Sequence, residues 1–236
     1  MVTKAVLLAA GRGTRMRELT LDLPKPMIAV RGQPILAHIV SGLKATGVTN
    51  FLIVVGYRAD VVRDFFKDGS PFGARVEYVT QITQDGTGRV VELARDFGGG
   101  DPFVLSYGDI LVDPVNYHRM VALEPEDDAL LTVKRADDVS QGGAVFINDG
   151  GELTDLREKP QPGEPTSPWY NAGVYTFRPS LFEFTAKLEK SPRGEYELTD
   201  AIRALAQSGR RVRCLELTGE WADVRDPEVL AQLNRS

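Results

Sequence analysis

The chain has 236 residues, 42% of them apolar, which suits one large α/β domain with a sizeable core. Its 28 Lys and Arg and 33 Asp and Glu are mixed along the chain and leave a net charge of −5, so no basic stripe or arm argues for a nucleic-acid partner. The single cysteine, Cys214, excludes an intrachain disulfide and a thiolate cage, and no apolar run is long enough for a signal peptide or a membrane span, so the reducing cytoplasm is the expected compartment.

Ala5–Ala9 is a short apolar run ending in glycines, the pattern of a buried parallel strand. Ile35, Leu36, Ile39, Val40 and Leu43 repeat at helical spacing, and Gly47 supplies a stop. Phe51–Val55 reads as a second buried strand, and Val61, Val62, Phe65 and Phe66 mark a second helix. Val76–Val79 predicts a strand, Gly88–Phe97 a helix, and Phe103–Ser106 a strand running into Gly108-Asp109. This alternation predicts a mainly parallel sheet with helices on both faces over residues 1–128. From 129 to 236 the pattern changes. Ala129–Val133, Ala144–Ile147, Leu153–Glu158 and Val174–Phe177 read as strands with little helix between them, which predicts a smaller β region. Residues 159–168, rich in Pro, Gly and Ser, form a loop. Helices return at Pro179–Leu188 and Leu198–Gln207, followed by a strand at Val212–Leu217 that buries Cys214 and a last helix from Pro227.

Chemistry concentrates at the ends of the predicted strands, where such sheets bind ligands. Leu8-Ala9-Ala10-Gly11-Arg12-Gly13-Thr14-Arg15-Met16 follows the first strand directly. Gly11 and Gly13 let backbone N–H groups approach phosphate oxygens, and Arg15 adds a fork of donors. Met16 stands where a dinucleotide-binding G-x-G-x-x-G needs its third glycine, which argues against an NAD(P)-dependent oxidoreductase. Next comes Pro24-Lys25-Pro26, a cation on a stiff mount, as electrostatic catalysis requires.

The combination L-A-A-G-x-G-T-R-M followed by P-K-P resembles the sugar-1-phosphate nucleotidylyltransferases, and later motifs keep that family's order through the whole chain. The resemblance implies a Rossmann-like core, mainly parallel, with a smaller sugar-binding β region. It implies that Leu8, Ala10, Gly11, Gly13, Thr14 and Arg15 bind nucleotide, with Arg15 and Lys25 serving catalysis on the reacting phosphates. Gln81 and Gly86 match the pair that holds the base in pyrimidine-using members. A Gln amide has both donor and acceptor for the imide edge of uracil or thymine. Gly88 departs from the alanine usual at its place.

Asp109 after the strand Phe103–Ser106, and Asp223 in Trp221-Ala222-Asp223-Val224, resemble the family's pair of Mg²⁺ ligands. Arg225-Asp226 replaces the Gly-Thr that commonly follows. Asp113 either belongs to the surroundings of the metal or caps the helix starting near Pro114. Arg157-Glu158-Lys159-Pro160 resembles the sugar-binding E-K-P, and Asn171-Ala172-Gly173 the next sugar-contacting segment. Gly143, within Gly142-Gly143, resembles a backbone contact to the sugar. Thr199 or Asp200 reads as a helix cap, and His38 and His118 as structural or surface residues.

The expected activity joins a nucleoside triphosphate, UTP or dTTP by preference, to a sugar 1-phosphate, with Mg²⁺ as cofactor and neither nucleic acid nor membrane as partner. Guanylyl or cytidylyl transfer, another phosphorylated acceptor such as muramate or choline phosphate, and a non-catalytic nucleotide-sugar binder remain open. The chain ends soon after the W-x-D segment, which leaves no room for the hexapeptide-repeat β-helix of longer relatives.

Overall fold

Apolar runs and helical repeats alternate through the first half of the chain, and the computed structural model, which describes residues 1–235, turns them into strands and covering helices. The strands are β1 (Lys4–Ala9), β2 (Ala29–Val30), β3 (Gln33–Pro34), β4 (Asn50–Val55), β5 (Arg75–Thr80), β6 (Phe103–Tyr107), β7 (Ile110–Val112), β8 (Ala129–Arg135), β9 (Gly143–Ile147), β10 (Leu153–Glu158), β11 (Trp169–Phe177), β12 (Val212–Glu216) and β13 (Trp221–Asp223). The helices are α1 (Ile35–Lys44), α2 (Ala59–Phe66), α3 (Thr87–Glu92), α4 (Arg95–Gly98), α5 (Tyr117–Met120), α6 (Phe182–Thr185), α7 (Leu198–Gln207) and α8 (Pro227–Leu233).

A nine-stranded sheet runs in the order β10-β9-β11-β6-β1-β4-β5, with β8 paired to β11 and β12 to β8. The strands β5, β4, β1 and β6 are parallel, whereas β11 is antiparallel to β6, Val174 lying opposite Ser106. The sheet is therefore mixed and mainly parallel in its first half, as expected. The β region after residue 128 does not stand apart, because β11 hydrogen-bonds directly to β6. Side chains along β1 alternate between two cores: Ala5, Leu7 and Ala9 join one, Val6 and Leu8 the other. Fully burying a side chain such as Leu7 contributes about 1.5–3 kcal/mol.

Three local expectations need correction, and one strand pairing had no sequence signal. The helix Gly88–Phe97 is split into α3 and α4, because Ala94 turns the backbone out of helix at φ −94°, ψ 0°. The helix Pro179–Leu188 is a 3₁₀ turn followed by the short α6, ending where Lys187 and Leu188 make tight bonds to Phe184 and Thr185. Neither Thr199 nor Asp200 caps α7. The cap position belongs to Glu197, and Thr199 is buried inside the first turn. Finally, residues 110–112 and 221–223 form an antiparallel pair outside the main sheet, with Asp223 opposite Ile110.

Candidate active site

Strand β1 delivers its glycine loop to the carboxyl end of the parallel strands. Gly13 takes φ +71°, and a Cβ there would come within 2.6 Å of the Lys25 Cβ, so the glycine lets the loop close over the lysine stem. Gly11 has open space beside it. The Ala10 carbonyl accepts from the Tyr57 amide and, at 3.3 Å, from Gln84 Nε2, which ties this loop to residues 81–86. A cleft of about 440 Å³ lies between the two segments. Leu8, Ala10, Gly11, Gly13, Arg15, Lys25, Gln81, Gly86 and Asp109 line it. Of the residues predicted to bind nucleotide, only Thr14 is not among its walls; it opens the exposed 3₁₀ turn that follows. Arg12 lies over the Tyr57 ring at 5.1 Å, which leaves Arg15 as the loop's arginine in the cleft.

Lys25 sits in a single 3₁₀ turn after Pro24, 6% exposed. Its ammonium is 2.5 Å from Asp109 Oδ2 and 3.6 Å from Asp223 Oδ1. Two backbone contacts hold the carboxylates near each other: Gly108 N–H donates to the Leu8 carbonyl, and Val224 N–H to the Asp109 carbonyl. A Cβ at Gly108 would come within 2.7 Å of the Leu8 oxygen, so only glycine fits beside β1 there. Burial raises the Asp223 carboxyl above the usual carboxylate range; Asp109 adds to the rise, and Lys25, Arg15 and Arg225 oppose it. No third His, Cys, Asp or Glu completes a metal cage with them among the described residues. Two mutually repelling carboxylates suit a hard cation that takes its remaining ligands from water and phosphate, which is how Mg²⁺ is commonly held. Arg225-Asp226 leaves this intact, because Asp226 turns away to accept from Val229 N–H and cap α8. Asp113 likewise proves to be a cap, accepting from Val115 N–H.

At the other end of the cleft, Gln81 Nε2 donates to the Thr83 carbonyl at 2.9 Å. A carbonyl can only accept, so this bond fixes which way the amide points and leaves Oε1 and one N–H for a ligand. Gly86 takes φ +117°, and a side chain there would run into the Tyr196 backbone. Gly88 is less constrained: an alanine Cβ there would meet the Leu188 side-chain tip and come within 3.0 Å of the Tyr196 carbonyl, so the glycine spares a shift of Leu188.

Glu158 ends β10 opposite Gly143, and Lys159 follows at φ +46° with its N–H donating to the Gly142 carbonyl. Burial and then Glu197 raise the Glu158 carboxyl above its ordinary range, against Lys159 and Arg193. Asn171 packs on Gly143, but its amide serves the fold: Nδ2 donates to Tyr175 and Oδ1 accepts from Gly173 N–H. Gly173, at φ +78°, abuts Tyr107. The predicted sugar residues thus lie together, beyond Tyr107, which is itself a wall of the 440 Å³ cleft.

The sequence assigned no ligand role to Gln84, Thr87 and Glu195, which line the cleft, or to Arg193, which lies 3.7 Å from Glu158 and 3.2 Å from Glu197. A separate cleft of about 600 Å³ opens on the other side of Asp223, against Tyr170, Trp221 and Arg225. Among the described residues no helix is long and apolar enough to cross a membrane.

A family model described as nucleotidyl transferase matches residues 4–236. A glucose-1-phosphate thymidylyltransferase of Streptomyces griseus is 35% identical, over 98% of this chain and 65% of its own length. The bifunctional protein GlmU of Methanococcus maripaludis is 35% identical over 98% of this chain and 53% of its own. The chain therefore spans less than two thirds of these relatives. The UTP–glucose-1-phosphate uridylyltransferase AglF of Haloferax volcanii is 36% identical over 95% of this chain and 92% of its own. Among solved structures, a UDP-glucose pyrophosphorylase complexed with UDP-glucose shares the fold, with a TM-score of 0.90 at 23% identity over 100% of this chain and 98% of that one.

Proposed function

Because the chain belongs to the nucleotidyl transferase family, we propose that it condenses a nucleoside triphosphate with a sugar 1-phosphate, releasing pyrophosphate and a nucleotide sugar. The observation that carries this reading is the Lys25–Asp109–Asp223 cluster, set beside a glycine loop and Arg15 at one end of a cleft. Such chemistry needs no protein nucleophile. An oxygen of the sugar phosphate attacks the α-phosphorus in line, the bond from that phosphorus to the β-phosphate oxygen breaks, and pyrophosphate leaves with the electron pair. The protein's task is to align two anions and meet the charge that develops.

Gly11 and Gly13 offer backbone N–H groups to the triphosphate, Arg15 and Lys25 counter its charge, and Lys159 draws in the sugar phosphate. Asp109 and Asp223 would hold Mg²⁺, which when bound neutralises phosphate oxygens. Glu158 accepts sugar hydroxyls. A pyrophosphate-release screen crossing all nucleoside triphosphates with a panel of sugar 1-phosphates tests the assignment. No release from any pair under Mg²⁺ would leave only a non-catalytic binder.

Gln81 supports uracil or thymine. With one N–H committed to Thr83, its free oxygen meets the imide N–H and its second N–H meets a flanking carbonyl. Cytosine offers no ring N–H at that place. Mispairing one buried polar contact costs about 1–3 kcal/mol, so UTP and dTTP should exceed CTP in kcat/KM by roughly 5–150-fold. Gln81→Ala should erode that preference more than it slows the best donor. GTP or ATP proving the best donor would remove the Gln81 reading and leave the reaction class standing.

Glu158 supplies a pH signature. Its carboxyl is raised, so on acidification it takes up a proton earlier than an ordinary carboxylate and stops accepting sugar hydroxyls. KM for the sugar phosphate should therefore rise as pH falls through that raised value. The same titration on Glu158→Gln separates the effect from protonation of the substrate phosphate: the Glu158-dependent part of the rise should vanish. An unchanged profile would count against the role.

A further inference from the structure

The position of the Lys25 ammonium between two carboxylates bears on what happens before any substrate arrives. Its side chain is 8% exposed, 2.5 Å from Asp109 and 3.6 Å from Asp223. The stem is held from above, since even a Cβ on Gly13 would come within 2.6 Å of the Lys25 Cβ and 3.0 Å of its Cδ. With the stem fixed, the ammonium has a short arc available, bounded by the carboxylates on one side and the phosphate-facing cleft on the other.

We propose that in the nucleotide-free protein Lys25 is the resident cation of the Asp109–Asp223 pair. A divalent ion gains the pair only when nucleotide phosphates draw the ammonium off. The inference rests on the reading of Asp109 and Asp223 as the metal-holding pair. Charge balance carries it. Two carboxylates against one ammonium leave a modest excess of negative charge. A divalent ion added alone would bond carboxylate oxygens at about 2.0–2.1 Å. That would crowd three positive charges against two negative ones, with Arg15 close enough to act on Asp223 as well. A triphosphate reverses the balance, because its oxygens can take the ammonium and share the divalent ion. Metal and nucleotide then favour each other's binding, and the coupling is reciprocal.

The test is metal binding without turnover. Mn²⁺ is the probe, because it suits the same oxygen ligands as Mg²⁺ and its free concentration can be read by electron paramagnetic resonance. Titrations without nucleotide compare the wild type with Lys25→Met and Lys25→Gln, each checked for folding by thermal melting. Both variants should bind Mn²⁺ at least about tenfold more tightly than the wild type, the scale for freeing a carboxylate from a charged hydrogen bond. Adding Asp109→Asn to either variant should abolish the gain.

A second measurement needs no variant. The rise in melting temperature of the wild type with Mg²⁺ and UTP together should exceed the sum of the rises with each alone. Variants that bind Mn²⁺ no more tightly than the wild type, or additive melting shifts, overturn the proposal. If Mg²⁺-dependent pyrophosphate release is nonetheless present, the reaction assignment stands. If it is absent, both fall together.

Discussion

Lys25→Ala is expected to lower kcat by about 10²–10³-fold, the scale for losing one preorganised electrostatic donor. The geometry makes this the most damaging single change. Lys25 is buried, mounted between Pro24 and Pro26, and packed under Gly13, so its stem is already in place when charge develops on the phosphates. Arg15 is a poor substitute, because it rises from an exposed part of the loop and is not held in place by burial. Steady-state pyrophosphate release measures kcat, and a denaturation curve checks that the variant folds. Turnover close to the wild type would falsify the assignment of Lys25 to the reacting phosphates.

The two carboxylates should behave alike in catalysis and differently in stability. Asp109→Asn and Asp223→Asn should each lower turnover by at least about 10²-fold and raise the Mg²⁺ concentration needed for it. Asp223, however, is a carboxylate whose charge is disfavoured by burial and by Asp109. Neutralising it removes a cost, so Asp223→Asn should melt at or above the wild-type temperature. Asp109 is the close partner of a buried ammonium. Its loss leaves Lys25 with the more distant Asp223 and should lower stability by about 1–3 kcal/mol. Urea unfolding of the two variants reads the difference. If both melt alike while both lose activity, the charge arrangement described for the pair is wrong.

Much of this was legible before any coordinates. The strands of the parallel half announced themselves as short apolar runs, and three of the four, β1, β5 and β6, ran into residues that line the cleft. Gly-x-Gly after β1, Pro-Lys-Pro, and Gly-Asp after β6 were readable because chemistry at a strand's end needs a particular residue at a particular offset. What could not be read was pairing across distance. The β7–β13 pair has three-residue strands, too short for a periodic signal, and their partners come from distant parts of the chain. The direct ion pair from Lys25 to Asp109 was invisible for the same reason: 84 positions separate them, and nothing local to either residue names the other.

Some motif residues carry two duties at once. Gly86 reads as an opening for a flat base and does line the cleft, yet a Cβ there is also barred by the Tyr196 backbone passing over it. Asn171 reads as a sugar contact, while its amide is committed to Tyr175 and Gly173. In both cases a motif residue has a packing duty that sequence alone cannot separate from a ligand duty.

The direct bond between β6 and β11 has consequences for how the chain acquires its fold. Lys4 pairs with Phe103, Val174 with Ser106, and Val212 with Ala129. These partners lie far apart along the chain, so much loop-closure entropy is lost before the pairings compensate for it, and folding should be slow for the chain's size. A ribosome would have released most of the molecule before β11 emerged to cover the open edge of β6. Until then Phe103, Val104 and Leu105 would sit on an apolar strand paired only to β1, its other edge open, the sort of edge that joins to other chains. A fragment ending near residue 128 would keep that edge permanently, and it should associate in solution instead of standing alone as a nucleotide-binding half.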